Sequence, residues 1–207
     1  MKKIMFNDKY GLTQAVLEGR KTQTRRIVDV SKLSKMSIDS LDDENSDLGI
    51  LTMVNLLDDS RYKVGEEVAV AQSYKEVCYS PSVQETIENE LGMSVEDSAG
   101  HNNKMFVRAD LMPHRIKIIN IRLERLQDIS DDDCLKEGVY YHTEPPKHHE
   151  YDRYSPWTPS VKPYKFESEK YFCSAKNAFK HLIEKVSGKG TWDSNPWVFV
   201  YDFELIR

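Results

Sequence analysis

The side chains between Gly19 and Arg26 have types and spacing suited to chemistry on an anion or a polar group. Lys21 and Thr24 stand three residues apart and Arg26 follows two residues later, so a turn would aim all three at one point. Cations this close repel one another, and we therefore expect an anion or a reactive group beside them. The other interpretation is a solvated surface cluster, the usual role of a short basic run. The cations of the run are Arg20, Lys21, Arg25 and Arg26.

A short helix is expected just before this run. The apolar residues of the stretch 9–18 fall on one helical face, and Gly19 is a typical C-terminal stop. The basic run therefore leaves a helix end and enters a loop or a strand.

Composition limits the function classes. The chain has 207 residues, which fits one domain with insertions. A net charge of -5 and an isoelectric point near 5.7 argue against broad binding of duplex DNA, so any nucleic-acid contact should be confined to a groove. No apolar run approaches the roughly 20 residues that cross a bilayer, and the first residues turn polar too soon for a signal peptide. We expect a cytoplasmic protein with no membrane partner.

The cysteines and histidines predict neither a metal site nor a disulfide framework. The three cysteines are far apart and form no CxxC pair, and the six histidines lack the spacing of metal ligands. No metal and no cofactor are expected. The run Asp131 to Asp133 follows Ser130, a typical helix cap, and we interpret these carboxylates as helix-start chemistry.

Three polar segments are interpreted as insertions in a single domain that spans residues 1–207. They cover residues 31–60, 80–103 and 140–170. In the first, Ile50 to Val54 predicts a strand. In the second, a helix is expected around Val83 to Leu91, with little that could pack. The third is rich in proline, histidine and aromatic residues, which suits a lid over a pocket.

The other segments predict strands and short helices. Strands are expected at residues 3–6, 67–74, 105–109, 115–126 and 197–206, and helices after Ser130 and over Ser174 to Val186. The adjacent Ile118 and Ile119 break the strand alternation, which indicates a bulge or burial on both faces. Five or six strands without a β–α–β rhythm indicate an α+β or mainly β fold, with a small β-barrel and short flanking helices.

The segment Gly19-x-Lys21-x-x-x-x-Arg26 resembles the G-x-K-x-x-x-x-R signature of ASCH domains, which belong to the PUA-like β-barrel superfamily. Two later blocks are similar to the same family and follow in the family's order: residues 122–130 with Glu137-Gly138, and residues 192–198. The resemblance, which is to proteins of bacteria and their phages, implies a PUA-like barrel. It also implies a cleft that binds RNA, a nucleoside or a nucleotide.

Some small bacterial members of this family are amidohydrolases that remove the acetyl group from N4-acetylcytidine. The resemblance implies a catalytic lysine at Lys21, a threonine at Thr24 and a glutamate at Glu137. Thr24 would attack the amide carbonyl, a neutral Lys21 would take its proton, and Glu137 would protonate the leaving nitrogen. The pKa of Lys21 must then be depressed, and burial together with the neighbouring arginines would do this.

Two aromatic residues are further candidates. Tyr74 lies where the sequence Gln72-Ser73-Tyr74 departs from the acidic residue of many relatives, and this departure leaves the substrate open. Trp192 would stack on a base or belong to the core, two interpretations of equal weight, whereas Trp197 is expected in the core. The expected binding residues are therefore Arg20, Lys21, Arg25, Arg26, Tyr74 and Trp192.

Three hypotheses about function follow from the sequence. The first is an ASCH-domain protein that binds RNA or a modified nucleoside in a basic cleft. The second is a metal-independent amidohydrolase that acts through Thr24, Lys21 and Glu137. The third is a phage-related accessory protein that contacts other proteins through its insertions.

Overall fold

The computed structural model describes residues 1–43, 46–141, 164–165, 172 and 174–206. The strands in this part of the chain are β1 (Lys2–Ile4), β2 (Gln23–Ile27), β3 (Glu67–Val70), β4 (Arg115–Arg125), β5 (Tyr140–Tyr141), β6 (Tyr164–Lys165) and β7 (Trp197–Ile206). The helices are α1 (Leu12–Leu17), α2 (Lys35–Ser40), α3 (Asp47–Asp58), α4 (Tyr74–Val77), α5 (Pro81–Leu91), α6 (Asp131–Lys136), α7 (Ala175–Ser187) and α8 (Thr191–Ser194).

Five strands form one mixed sheet in the order β1-β3-β4-β7-β2. β1 runs parallel to β3, and the other neighbouring pairs are antiparallel. In the described part of the chain β1 and β2 are the edge strands, so the sheet is open, and β5 pairs with β6 in a separate ladder. The fold is therefore α+β, as expected, while the described residues do not form a closed barrel.

Three apolar clusters hold the helices on the sheet. The largest joins the sheet strands to α1, α6 and α7, with Val200 and Phe179 among its fully covered side chains. A second cluster forms around Tyr74, and a third joins α3 to Trp197. Burial of this apolar surface is the main favourable term in folding, and it fixes α6 and α7 against the sheet beside β2.

A β-bulge in β4 decides which side chains share a face with β2. The pairing of β4 with β7 shifts by one residue between Ile118 and Asn120, so the extra residue Ile119 confirms the expected bulge. Ile119 is exposed, and burial on both faces is therefore the wrong alternative. Because side chains alternate along a strand, the shift moves Arg122 and Glu124 onto the face that also carries Arg25.

Several expected elements are present with nearly the expected bounds. The helix before the basic run is α1, preceded by a short 3-10 turn at Asp8–Tyr10. Ser130 caps α6 by accepting a hydrogen bond from the backbone N–H of Asp133, as expected for helix-start chemistry. The expected helix at Ser174 to Val186 is α7, and the final expected strand is β7.

Other expectations are wrong. The segment from Ile50 to Val54 lies within the helix α3 instead of a strand, and residues 105–109 lie across two 3-10 turns and the link between them. The 80–103 insertion packs well, because Ile87 and Val95 are buried in the cluster around Tyr74. Nearly all of the segment 140–170, which we interpreted as a lid, lies outside the described residues.

Candidate functional site

A cavity of about 150 Å³ lies beside the edge strand β2, between β2, the turn after β1 and the helix α7. Part of the cavity lining is polar, and these side chains come from Lys21, Thr24, Arg25, Arg26 and Glu137. The rest of the lining is mainly apolar, and its side chains come from Phe6, Leu12, Phe179, Leu182, Ile183 and Val186. The structure thus brings the expected Lys21, Thr24 and Glu137 to one cavity, although they are distant in sequence.

A buried ion pair lies at the centre of the polar part of the lining. The Lys21 ammonium is 2 % exposed, and its Nζ donates to Glu137 Oε2 at 2.5 Å and to the Glu137 carbonyl oxygen at 2.8 Å. The other carboxylate oxygen of Glu137 accepts from Arg25 Nη1 at 3.0 Å. Charge-assisted hydrogen bonds of this kind are the strong ones, so Glu137 is held in one orientation.

The backbone around these residues explains how they meet. Lys21 follows α1, and its N–H donates to the Ala15 carbonyl, while the Thr22 N–H donates to the Lys136 carbonyl at the end of α6. Glu137 is the C-terminal cap of α6. Gly138 comes next with a φ of +102°, and a Cβ there would lie 3.3 Å from Leu12 Cδ2. A glycine at this position permits both the positive φ and the close approach of α6 to α1.

Arg25 is saturated by protein groups. Besides Glu137, its guanidinium donates to Gln23 Oε1 and to Glu124 Oε1, each at 2.5 Å, and it forms an ion pair with Asp133 at 3.3 Å. A second arginine, Arg122, binds the same Glu124 and Asp133 and also Asp202. Arg25 remains an expected binding residue, and in the described structure its guanidinium donors are all engaged by protein side chains.

The other two arginines of the basic run have different surroundings. Arg20 is exposed, pairs with Glu18 at 2.6 Å and lies over the ring of Tyr140, outside the cavity lining. Arg26 lines the cavity and donates to the Met5 carbonyl at 2.8 Å. In the described part of the chain, Arg26 is the cation of the cavity that has no carboxylate partner. Carboxylates of the protein itself thus neutralise most of the positive charge expected in the cleft.

Thr24 lines the cavity from the opposite face of β2. It is 4 % exposed, and strand alternation directs its side chain away from the face of Arg25. Among the described residues, its hydroxyl makes no hydrogen bond to Lys21 or Glu137. Catalytic hydrogen bonds are often long or unformed without substrate, so this geometry is compatible with both binding and attack.

Burial is the main influence on the Lys21 ammonium. It lowers the pKa of Lys21, because a charge is unfavourable away from water. The Glu137 carboxylate acts in the opposite direction, whereas Arg26 and Arg25 add smaller lowering effects, and the pKa stays below its ordinary value. The expected contribution of Arg25 and Arg26 is therefore secondary to burial.

The two aromatic candidates lie outside the cavity lining. Tyr74 is buried in the second cluster, where its hydroxyl accepts from the Arg108 N–H at 3.0 Å. Trp192 is buried in the largest cluster and packs edge-on against Phe179, which itself lines the cavity. Trp192 thus occupies the core and supports the cavity wall from behind; Trp197 is also buried, as expected.

The sequence alone did not identify the acidic partners of Arg25 or the apolar wall of α7. Glu124 lies 99 residues from Arg25, and only its position after the β4 bulge brings it near. The wall was detectable in principle, because Phe179, Leu182, Ile183 and Val186 follow helical spacing. That spacing predicts a core face, and part of this core face lines the cavity.

The described residues contain no group of His, Cys, Asp and Glu side chains arranged to hold a metal ion. Cys134 is buried in this part of the chain, and burial raises the pKa of its thiol to about 12. None of the described helices has the length and apolar character needed to cross a membrane. No protein-family model, no curated protein and no solved structure matches the chain.

Proposed function

We propose that this protein is an ASCH-type, PUA-like domain that binds a modified nucleoside, free or within RNA, in the cavity beside β2. The observation that carries the proposal is the convergence of Lys21, Glu137 and Thr24 on one cavity whose remaining lining is mainly apolar. Polar groups that converge in an otherwise apolar pocket are the usual arrangement for binding a small ligand.

The size and charge of the cavity favour one small ring over a length of RNA backbone. Its volume of about 150 Å³ lies below the roughly 300–1,000 Å³ of pockets for drug-sized ligands. Glu137 and Glu124 neutralise Lys21 and Arg25, which leaves Arg26 to meet a phosphate. A nucleobase that inserts between the ion pair and the α7 wall fits these limits, with the sugar and phosphate outside.

Binding is tested by titrating N4-acetylcytidine and cytidine into the protein by calorimetry. We expect Lys21→Met to weaken binding at least tenfold, whereas Lys180→Met, at an exposed lysine of α7, should leave the affinity unchanged. Circular dichroism confirms that both variants are folded. Equal affinity of the two variants, or no binding by the wild type, would contradict the proposal.

The salt dependence of RNA binding distinguishes recognition of one nucleoside, with a single phosphate contact, from recognition of the RNA backbone through many phosphates. If only Arg26 meets a phosphate, the logarithm of the affinity for a short single strand should fall with the logarithm of salt by a slope of about 0.7. Arg26→Gln should remove this slope. A slope several times larger would indicate a polyanion site elsewhere on the surface.

Amide hydrolysis is the second candidate, and the short Lys21–Glu137 contact favours it. The reaction requires the proton on Lys21 Nζ to pass to Glu137 Oε2 along their hydrogen bond, which makes Lys21 the base and Glu137 the proton donor. Lys21 then takes the proton of the Thr24 hydroxyl as that oxygen attacks the amide carbonyl. Glu137 gives its proton to the leaving nitrogen, and the pair returns to its starting charges.

Water completes this reaction by hydrolysing the acyl ester on Thr24. After the same proton shift from Lys21 to Glu137, Lys21 takes a proton from the attacking water, and Glu137 gives its proton to the Thr24 oxygen as acetic acid leaves. The test is incubation with N4-acetylcytidine, followed by chromatography for cytidine and acetate. We expect Thr24→Ser to retain turnover, and Thr24→Val to bind without turnover because it lacks the hydroxyl. Mass spectrometry should find one acetyl group on the peptide that contains Thr24. Binding without any turnover by the wild type would exclude hydrolysis of this substrate and leave the binding proposal intact.

A further inference from the structure

The outer face of α3 breaks two rules that surface helices usually follow. Ile50, Leu51 and Val54 are 49 %, 56 % and 49 % exposed, although an outward helical face is normally polar. Asp58 is the last residue of the helix, and no basic residue occupies the last turn. Negative charge is unfavourable at that end of a helix, and apolar side chains left in water contribute no free energy of burial.

These residues form one ordered stripe. Asp47, Ile50, Leu51, Val54 and Asp58 follow the spacing i, i+3, i+4, i+7 and i+11, which places them on one side of a helix. The stripe is therefore apolar in the middle and acidic at both ends, about 16 Å apart along the axis. The opposite side of α3, with Thr52 and Leu56, is buried against the rest of the protein.

The helix that carries the stripe is firmly built into the fold. Ser46 caps its first turn, and Leu56 packs in the cluster that contains Leu41 and Trp197. Lys63 donates to the carbonyls of Leu57 and Asp58 and so caps the last turn. Its ammonium is bound to backbone oxygens, while the Asp47 and Asp58 carboxylates have no ion pair among the described residues. The stripe is therefore a surface on a well-anchored helix, and its two carboxylates are available to pair with basic groups of a partner.

We propose that the α3 stripe docks an amphipathic helix of a partner protein whose apolar face is flanked by basic residues. The negative charge at both ends of the stripe favours such a helix over a second copy of this chain or an anionic membrane. A second copy would place Asp against Asp in either helix direction, and like charges across an interface are costly. An anionic membrane surface attracts basic helices and would repel these carboxylates. A helix with Lys or Arg at each end of an apolar face satisfies both the apolar centre and the acidic ends.

The probe for this surface is a labelled synthetic helical peptide with Leu at i+4 and i+7 and Arg at i and i+11. A matched peptide carries Glu at the two Arg positions. Fluorescence anisotropy at low salt should show the Arg peptide binding the wild-type protein at least tenfold more tightly than the Glu peptide. The double variant Asp47→Lys/Asp58→Lys should reverse that preference, and this gain of binding shows that the variant is folded.

The control is Glu85→Lys/Asp97→Lys, which makes the same charge change at exposed positions in the 80–103 insertion. It should leave the preference for the Arg peptide as in the wild type. Equal affinity for both peptides, or a preference that the control variant also reverses, would overturn the proposal. Self-association in sedimentation that Val54→Asp abolishes would overturn it in favour of a second copy.

Discussion

At the scale of single residues, Glu137 organises the buried charges. It accepts hydrogen bonds from both Lys21 and Arg25, so Glu137→Gln takes a charged partner from two buried cations. Breaking a buried pair by removing one partner costs about 3–5 kcal/mol. We expect a loss of this size in the free energy of unfolding for Glu137→Gln. Lys21→Met should cost less, because Glu137 keeps Arg25. Urea unfolding measures both.

The control for this comparison is Glu18→Gln, which breaks the exposed ion pair with Arg20. Exposed pairs contribute little, and this variant should unfold like the wild type. A larger loss for Lys21→Met than for Glu137→Gln would show that Arg25 does not hold Glu137 as the structure indicates.

The sequence predicted part of this site. The resemblance placed Lys21, Thr24 and Glu137 together, and the structure brings them to one cavity. The sequence did not predict that protein groups would occupy the hydrogen-bond donors of Arg25. Its partners Glu124 and Asp133 come from β4 and α6, and they meet Arg25 only after folding. A charge count along the chain cannot show which cations are neutralised in three dimensions.

At the scale of elements, the packing of α3 on α2 depends on Gly49. A Cβ at this position would lie 2.6 Å from the Asp43 carbonyl oxygen and closer still to that of Ser40. Alanine is the better helix former by about 1 kcal/mol, but the clash is with backbone, which cannot move aside alone. We therefore expect Gly49→Ala to destabilise the protein by about 1–3 kcal/mol, the usual range for overpacking.

Asn55→Ala is the matched control, because it lies at an exposed position of the same helix. Helix propensity alone should make it neutral or slightly stabilising in thermal unfolding. If Gly49→Ala were also stabilising, α2 and α3 would not be in the close contact described.

The same helix shows where pattern analysis fails. The apolar run Ile50 to Val54 predicts a strand because short apolar runs look alike in strands and helices. The decisive signals extend beyond that run: the cap Ser46 precedes it, and Gly49, Thr52 and Leu56 follow a helical spacing that runs through it. The apolar outer face of α3 hides this spacing, because Ile50, Leu51 and Val54 are apolar but exposed, whereas the buried Thr52 is polar. By contrast, α7 was predicted well because its outer face is polar.

At the scale of the whole molecule, one network of charges ties the separate parts of the sheet to α6. Asp133 of α6 binds Arg25 of β2 and Arg122 of β4, and Arg122 also binds Asp202 of β7. The β4 bulge makes this possible by turning Arg122 and Glu124 toward β2. Elements that are far apart in sequence are thus joined at the wall of the cavity, so the network couples global stability to the geometry of the site.

This network should make the stability of the protein depend on pH in the acid range. Burial acts most strongly on the Asp133 carboxyl and would raise its pKa, but Lys136, Arg122 and Arg25 together hold the pKa below its ordinary value. A carboxyl with a lowered folded pKa stabilises the fold above its unfolded pKa of about 3.9, and this stabilisation is lost as the pH falls through the folded value. The difference in unfolding free energy between the wild type and Asp133→Asn should therefore be largest near neutral pH and should decrease below about pH 4.

Urea unfolding at a series of pH values measures this difference. Asp132→Asn is the control, because Asp132 is the exposed neighbour of Asp133 in the same turn of α6 and forms no ion pair among the described residues. Because Asp132 is one of the carboxylates in the first turn of α6, this variant should lose no more than about 0.3–1 kcal/mol of unfolding free energy, less than Asp133→Asn loses near neutral pH. A gap between the wild type and Asp133→Asn that stays constant through the acid range would mean that Asp133 acts through packing or the shape of α6. The charge network would then not join the sheet to the wall of the cavity.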